Sequence, residues 1–258
     1  MKQEDDSIMR ALYTFVPNLK RASDRTLSVY LPARAEGFDL RYYEREFAQL
    51  RSRYKDRLDK EEREIMEREL ARLREHLEVV KPAGSPALAG FSDERAGLLE
   101  LVKLPMETEA RLEVGPLLLA PIERQLERVL PALIAVVDKE HARLFAAILD
   151  DVYPLEQMRG LDVKHNKAGG TSAPSNQRKA DNRTKANLER VIDVIGHEVR
   201  SGVYLRIFVA GPEEARAELE RLMPPPLKRL LAGHLSAELD SHRLQHELRE
   251  QLVLARPA

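Results

Sequence analysis

Residues 203–210 (VYLRIFVA) are the strongest strand signal in the sequence, because β-branched and aromatic side chains dominate them. The segment before them carries apolar residues at the spacing of one helix face: Leu188, Val191, Ile192, Ile195 and Val199. After them, Gly211 and Pro212 open a helix predicted over 213–222. Two helices on either side of one buried strand predict a sheet covered by helices.

The rest of the second half continues this alternation. Residues 132–137 predict a buried strand, and 142–149 predict either a second strand or a short helix. Residues 230–235 predict a further strand after the prolines at 224–226, and 241–254 predict a final helix. We therefore expect an α/β fold of the mixed α+β class, with a mixed sheet and flanking helices in the second half.

The first half has a different pattern. Residues 26–31 predict a strand, and 40–80 predict a charged helical hairpin. Asp59 followed three residues later by Glu62 is a capping signal, so two helices are favoured over one rod. Beyond the breaker at 81–86, two short strands are predicted at 87–91 and 97–104, and a helix at 114–126. We place two domains at 1–128 and 129–258, since this length suits two ordinary domains.

Composition excludes several classes of function. The chain has 258 residues, a formal net charge of −1 and no cysteine, so disulfides and thiolate metal sites are excluded. The first ten residues are acidic and lack an apolar core, and the longest apolar run is too short to span a bilayer. We expect a cytoplasmic protein with no membrane or DNA partner. Acids and bases alternate within 40–80, which indicates a solvated face rather than an RNA-binding one.

The basic charge of the chain is concentrated in one segment. Residues 159–190 contain eight lysines and arginines against three acids. Within this segment, two adjacent glycines, Gly169 and Gly170, allow the backbone to approach another molecule closely. Pro174 suits the first turn of the amphipathic helix that follows. A basic helix directly after a glycine-bearing loop indicates contact with phosphate groups of RNA.

This segment resembles the middle domain of the archaeo-eukaryotic peptide-chain release factors. The residues that match the family pattern without a gap are Lys164, His165, Gly169, Gly170, Ser172, Ala173 and Arg178. The resemblance covers roughly half the chain, from about Leu133 onward, and bacterial relatives of these factors vary at the same loop. Thr171 stands where the family has glutamine. A middle domain of ribonuclease-H-like topology is implied.

The resemblance also implies a site and its partners. Gly169, Gly170 and Thr171 would be the catalytic residues of a peptidyl-tRNA hydrolase, with no metal and no cofactor. The residues assigned to RNA binding are Lys164, His165, Lys167, Ser172, Arg178, Lys179, Arg183 and Lys185. The implied partners are large-subunit RNA of the ribosome and the acceptor end of tRNA. The 164–178 loop would enter the peptidyl-transferase centre, either to hydrolyse peptidyl-tRNA or, as in hibernation and stress factors, only to occupy it.

Two other classes of function remain open from the sequence. A metal-dependent nuclease of ribonuclease-H-like fold would need clustered carboxylates, drawn from Asp138, Asp150 or Asp151, and Asp193. A non-catalytic scaffold protein would expose an apolar stripe on a helix, best sought in residues 40–80.

Overall fold

The computed structural model describes residues 2–34, 37–160, 173–237, 239 and 243–254. The chain forms two compact units, Met1–Val129 and Leu130–Ala258. Within the described ranges, no helix is long and apolar enough to cross a membrane.

Unit 1 is a four-stranded antiparallel sheet with helices. Its elements are α1 (Lys2–Phe15), a short 3-10 helix (Pro17–Arg21), β1 (Thr26–Pro32), α2 (Leu40–Tyr54), α3 (Lys60–Val80), β2 (Ala87–Asp93), β3 (Leu98–Leu104), β4 (Arg111–Gly115) and α4 (Ala120–Arg128). The strands are ordered β3-β2-β1-β4. Every neighbouring pair of strands is antiparallel.

The predicted break between α2 and α3 lies where the capping signal places it. Asp59 accepts a hydrogen bond from the Glu62 amide, and the Glu62 carboxylate accepts one from the Asp59 amide, at 2.9 Å each. The two apolar stripes pack into one core with β1, β2 and β4. Their buried members include Tyr43, Phe47, Leu50, Met66, Leu70, Leu73 and Leu77.

The helix predicted over 114–126 is wrong at its start. Residues 111–115 form β4 instead, and the helix α4 begins only at Ala120. Leu112 is buried and lies opposite Val29 of β1, so pairing with a strand about 80 residues away decides this segment. The local sign of this strand is a short one, the alternation of Leu112 and Val114 with Arg111 and Glu113.

Unit 2 is a five-stranded mixed sheet, which confirms the predicted fold class. Its elements are β5 (Ala132–Val137), β6 (His141–Ile148), β7 (Asp151–Arg159), α5 (Ala173–Arg200), β8 (Arg206–Ala210), α6 (Glu213–Leu222), α7 (Pro225–Lys228), β9 (Leu231–Leu235) and α8 (Leu244–Leu254). The strand order is β7-β6-β5-β8-β9. The pairs β5–β8 and β8–β9 are parallel, whereas β6 is antiparallel to both of its neighbours.

The sequence pattern did not predict β7 as a strand. Its residues are mostly exposed and include Pro154, which lacks a backbone donor. Proline is tolerated there because β7 is an edge strand, hydrogen-bonded on one side only. The strand therefore owes its conformation to pairing with β6 rather than to an apolar pattern of its own.

The topology of unit 2 defines two edges of the sheet. At the carboxyl edge, β5, β7, β8 and β9 end, and α5 and α6 follow β7 and β8. At the amino edge, β5, β8 and β9 begin, and α5 and α6 end shortly before β8 and β9. Segment 161–172 joins the end of β7 to the start of α5, so both of its attachment points belong to the carboxyl side of the unit.

Candidate RNA-contacting site

The long helix α5 separates its apolar and charged residues onto two faces. The buried positions follow the helical repeat: Ala180, Asn187, Leu188, Val191, Ile192 and Ile195. Four predicted RNA-binding residues lie on the opposite, solvent-exposed face: Arg178, Lys179, Arg183 and Lys185. The inner face holds the helix on the unit, and these four basic side chains are exposed to solvent on its outer side.

The outer face is positively charged. Between Arg178 and Arg190 there are five basic and two acidic residues, in a chain whose total formal charge is −1. Lys185 lies 3.7 Å from Glu189, one helical turn further on. Exposed pairs of this kind hold their partners weakly, so Lys185 can exchange the carboxylate for a phosphate oxygen.

A close contact fixes the base of segment 161–172. The Asn187 side chain of α5 donates a hydrogen bond to the Lys139 carbonyl oxygen at 3.0 Å. The Gly160 amide, directly after β7, donates to the Glu140 carbonyl oxygen at 2.6 Å. A Cβ at position 160 would lie only 2.3 Å from Asn187 Cγ. The end of β7, the β5–β6 turn and α5 therefore meet at one point, and only glycine fits there.

The β5–β6 turn is itself held rigidly. The Asp138 carboxylate accepts hydrogen bonds from the amides of Glu140 and His141, at 2.6 Å each. The Asp138 amide donates to the His141 carbonyl oxygen at 3.0 Å. These bonds direct the Lys139 carbonyl oxygen toward Asn187, so the turn serves as the anchor for α5.

The predicted site residues divide into two groups. Arg178, Lys179, Arg183 and Lys185 share the exposed face of α5. The other predicted residues lie outside the described ones: Lys164, His165, Lys167, Gly169, Gly170, Thr171 and Ser172. Sequence reasoning missed Gly160 and Asn187. A polar residue among the apolar positions of the inner face was the available signal for Asn187.

The carboxylates considered for a nuclease do not come together. Asp138 precedes β6 and Asp150 follows it, so the length of the strand, more than about 20 Å, separates them. The Asp150 carboxylate is buried and pairs with Arg249, and the Asp138 carboxylate is engaged in its own turn. Among the described residues, no three histidine or acidic side chains are arranged to hold a metal ion.

Helices α2 and α3 do not expose the apolar stripe that a scaffold protein would present. Their apolar stripes are buried in the core of unit 1. The exposed large apolar residues found there are Val79 and Val80, at the last turn of α3. Two adjacent valines make too small a patch for a protein interface.

We expect Gly160→Ala to loosen the base of segment 161–172. The added methyl group would displace the Asn187 side chain and break its bond to Lys139 (a loss of about 1–2 kcal/mol). Hydrogen exchange followed by mass spectrometry should show faster exchange in α5 around residue 187 and little change in unit 1. Gly196→Ala, in the same helix as Asn187, is the control, since the nearest atoms to its added Cβ lie at 3.7 and 4.0 Å, which is ordinary contact. Unchanged exchange at 187 would contradict the contact.

Comparison with known proteins gave one family and several structures. A family model described as bacterial archaeo-eukaryotic release factor family 10 matches residues 118–256. The chain is similar to an archaeal translation termination factor, with 18% identity and a TM-score of 0.37, covering 95% of this chain and 72% of that one. It is also similar to Pelota from Archaeoglobus fulgidus, with 9% identity and a TM-score of 0.33, covering 66% and 47%. No curated protein matched the sequence.

Proposed function

The chain belongs to the bacterial archaeo-eukaryotic release factors of family 10, and we propose on this premise that it is a ribosome-associated factor that inserts residues 164–178 toward the peptidyl-transferase centre. Membership makes it a release-factor-like protein of translation. The observation that carries the proposal is the basic outer face of α5, which begins at Arg178, the last residue of this segment.

The geometry of unit 2 supports insertion of the segment. Asn187 anchors α5 at the carboxyl edge, and the helix starts 14 residues earlier, about 21 Å along its axis. The basic residues at 178–185 lie within this stretch. Phosphate contacts there would orient the helix on RNA, while segment 161–172 precedes it toward the acceptor end of tRNA.

The chemistry of release needs a positioned water and donors for the developing negative charge. Gly169 and Gly170 bring backbone amides close to the ester, and Thr171 retains its own amide although it replaces glutamine. Lys164, His165, Lys167 and Ser172 would contact RNA near this point. Two modes of action follow: hydrolysis of peptidyl-tRNA in ribosome rescue, or occupation of the site without hydrolysis in hibernation or stress.

Charge reversal on α5 tests ribosome binding. The triple variant Arg178→Glu, Lys179→Glu and Arg183→Glu should bind ribosomes at least about tenfold more weakly and with a shallower salt dependence, since phosphate contacts are lost. The matched control reverses three basic residues of unit 1 that are also exposed, Lys55, Lys60 and Arg63. Co-sedimentation over a salt series measures both. Equal losses in the two variants would show that the surface is assigned wrongly.

A peptide-release time course separates the two modes of action. If the protein hydrolyses peptidyl-tRNA through the amide of residue 171, Gly170→Ala should abolish release, because a Cβ opposes positive φ. Thr171→Gln should raise the rate only modestly, since the amide is present in both. If the protein only occupies the site, wild type releases nothing above background yet still pellets with ribosomes. Robust release by Gly170→Ala would exclude the glycine mechanism.

A further inference from the structure

A second group of basic side chains lies at the amino edge of unit 2, opposite the edge at which β7 ends and α5 begins. We call it the amino-edge cluster, and its members come from the end of α5, the start of β8, the last residue of α7 and the residue after it: Arg200, Arg206, Lys228 and Arg229. Arg200, Lys228 and Arg229 are exposed, and Arg206 is half-buried.

Contacts between these elements place the four residues at one edge. The Ile207 amide, next to Arg206, donates to the Leu230 carbonyl oxygen at 2.7 Å, next to Arg229. A Cβ on Gly196, one turn before Arg200, would lie 4.0 Å from Leu227 Cδ1. The end of α5, the start of β8 and the start of β9 are thus neighbours.

The positive charge of this edge is not neutralised. Residues 197–206 and 222–229 contain four lysines and arginines and a single acid, Glu198. The nearby acids of α6 have other partners: Glu218 pairs with Arg221 at 2.6 Å, and Glu220 pairs with His234. Within the described part of the chain, no ion pair involves any member of the amino-edge cluster.

The chemistry of the cluster fits phosphate. Three of its four members are arginines, whose planar guanidinium groups bind phosphate oxygens in pairs. The exposed large apolar residues of the described chain, Val79, Val80 and Leu155, all lie elsewhere. A protein partner would need an apolar centre to its interface, whereas an RNA backbone needs only the charges and their donors.

We propose that the amino-edge cluster is a second RNA-contacting surface, which binds the phosphate backbone. This inference rests on the proposed function and extends it. Arg183 and Arg200 are 17 residues apart on α5, or about 25 Å, so the two surfaces contact different phosphates. A single contact would leave unit 2 free to rotate on the RNA, whereas two separated contacts would set its orientation.

The test compares two triple variants of the full chain. The first carries Arg200→Gln, Lys228→Gln and Arg229→Gln, and the matched control carries Lys55→Gln, Lys60→Gln and Arg63→Gln. Glutamine removes charge without introducing repulsion, and thermal unfolding checks that both variants fold as wild type does. Ribosome co-sedimentation is measured over a salt series, and binding to polyglutamate is measured alongside it.

The amino-edge variant should bind ribosomes about tenfold more weakly, with a salt slope smaller by about 2, and the control should match wild type. If the amino-edge variant binds ribosomes as tightly as wild type while the α5 charge-reversal variant binds weakly, this inference fails and the proposed function stands. If wild type itself does not pellet, both the inference and the proposed function fail. Loss of polyglutamate binding with unchanged ribosome binding would assign the cluster to an acidic protein instead.

Discussion

Gly211→Ala should destabilise unit 2 by about 3–5 kcal/mol. Gly211 has a φ of +116°, where residues with a side chain are strained. An added Cβ would also lie 2.0 Å from the Val137 carbonyl oxygen. That oxygen belongs to β5, a central strand paired with both β6 and β8, so it cannot move without disturbing the sheet. Strain and overlap with the backbone therefore act together.

Gly196→Ala is the matched control with the opposite expected sign. Gly196 lies inside α5, and the nearest atoms to an added Cβ are at 3.7 and 4.0 Å, which is ordinary contact. Alanine in a helix interior should stabilise unit 2 by about 0.5–1 kcal/mol. Denaturant unfolding, followed by hydrogen exchange of residues 132–137, measures both variants. A Gly211→Ala protein within about 1 kcal/mol of wild type would contradict the close approach of these two strand ends.

Glu69→Gln should destabilise unit 1 by about 3 kcal/mol and lower its melting temperature by about 10 °C. Glu69 lies on α3 and is fully buried. Its carboxylate accepts hydrogen bonds from Arg72 and Ser92 at 2.7 Å each, from Arg68 at 2.9 Å and from the Glu94 amide at 3.2 Å. A neutral amide cannot accept all four bonds, so cationic and polar groups beside β2 would lose their partner.

The effect of Glu69→Gln should depend on pH. Burial raises the pKa of Glu69, but the hydrogen bonds from Ser92, Arg72 and Arg68 outweigh it, and the pKa lies below the ordinary value of 4.5. A carboxylate whose pKa is lowered in the folded state stabilises the fold when the pH is above its ordinary pKa. This stabilisation is lost as the pH falls through the folded-state pKa. The difference between wild type and variant should therefore be constant near neutral pH and shrink below about pH 4.5.

Glu67→Gln is the control for this prediction. Glu67 is on the same helix, but its side chain is exposed and lies 3.2 Å from an equally exposed Arg51. Such a pair contributes at most about 1 kcal/mol, and its removal should leave the melting temperature nearly unchanged. Thermal unfolding from pH 7 to pH 3 measures both variants. A Glu69→Gln loss that grows toward low pH would show that the carboxylate is not held in its charged form.

Local sequence patterns determined many of the helices of this protein and the faces that they bury. Asp59 and Glu62 set the break between α2 and α3, because a capping box uses only neighbouring residues. The apolar repeat along α5 determined which face packs inward and left the basic residues 178–185 outside. The ordered matches from Lys164 to Arg178 also indicated the release-factor family, which the family model bears out.

Only the tertiary structure decided the features that depend on distant partners. β4 and β7 are strands because β1 and β6 pair with them; the apolar alternation of β4 is limited to Leu112 and Val114, and β7 contains Pro154. Gly160 and Asn187 are 27 residues apart in sequence, yet they meet because β7 and α5 both approach the β5–β6 turn. Arg200, Arg206 and Arg229 become one positive surface only when strands β8 and β9 align. Short-range patterns specify elements and their faces, whereas the pairing of strands brings residues from different elements together.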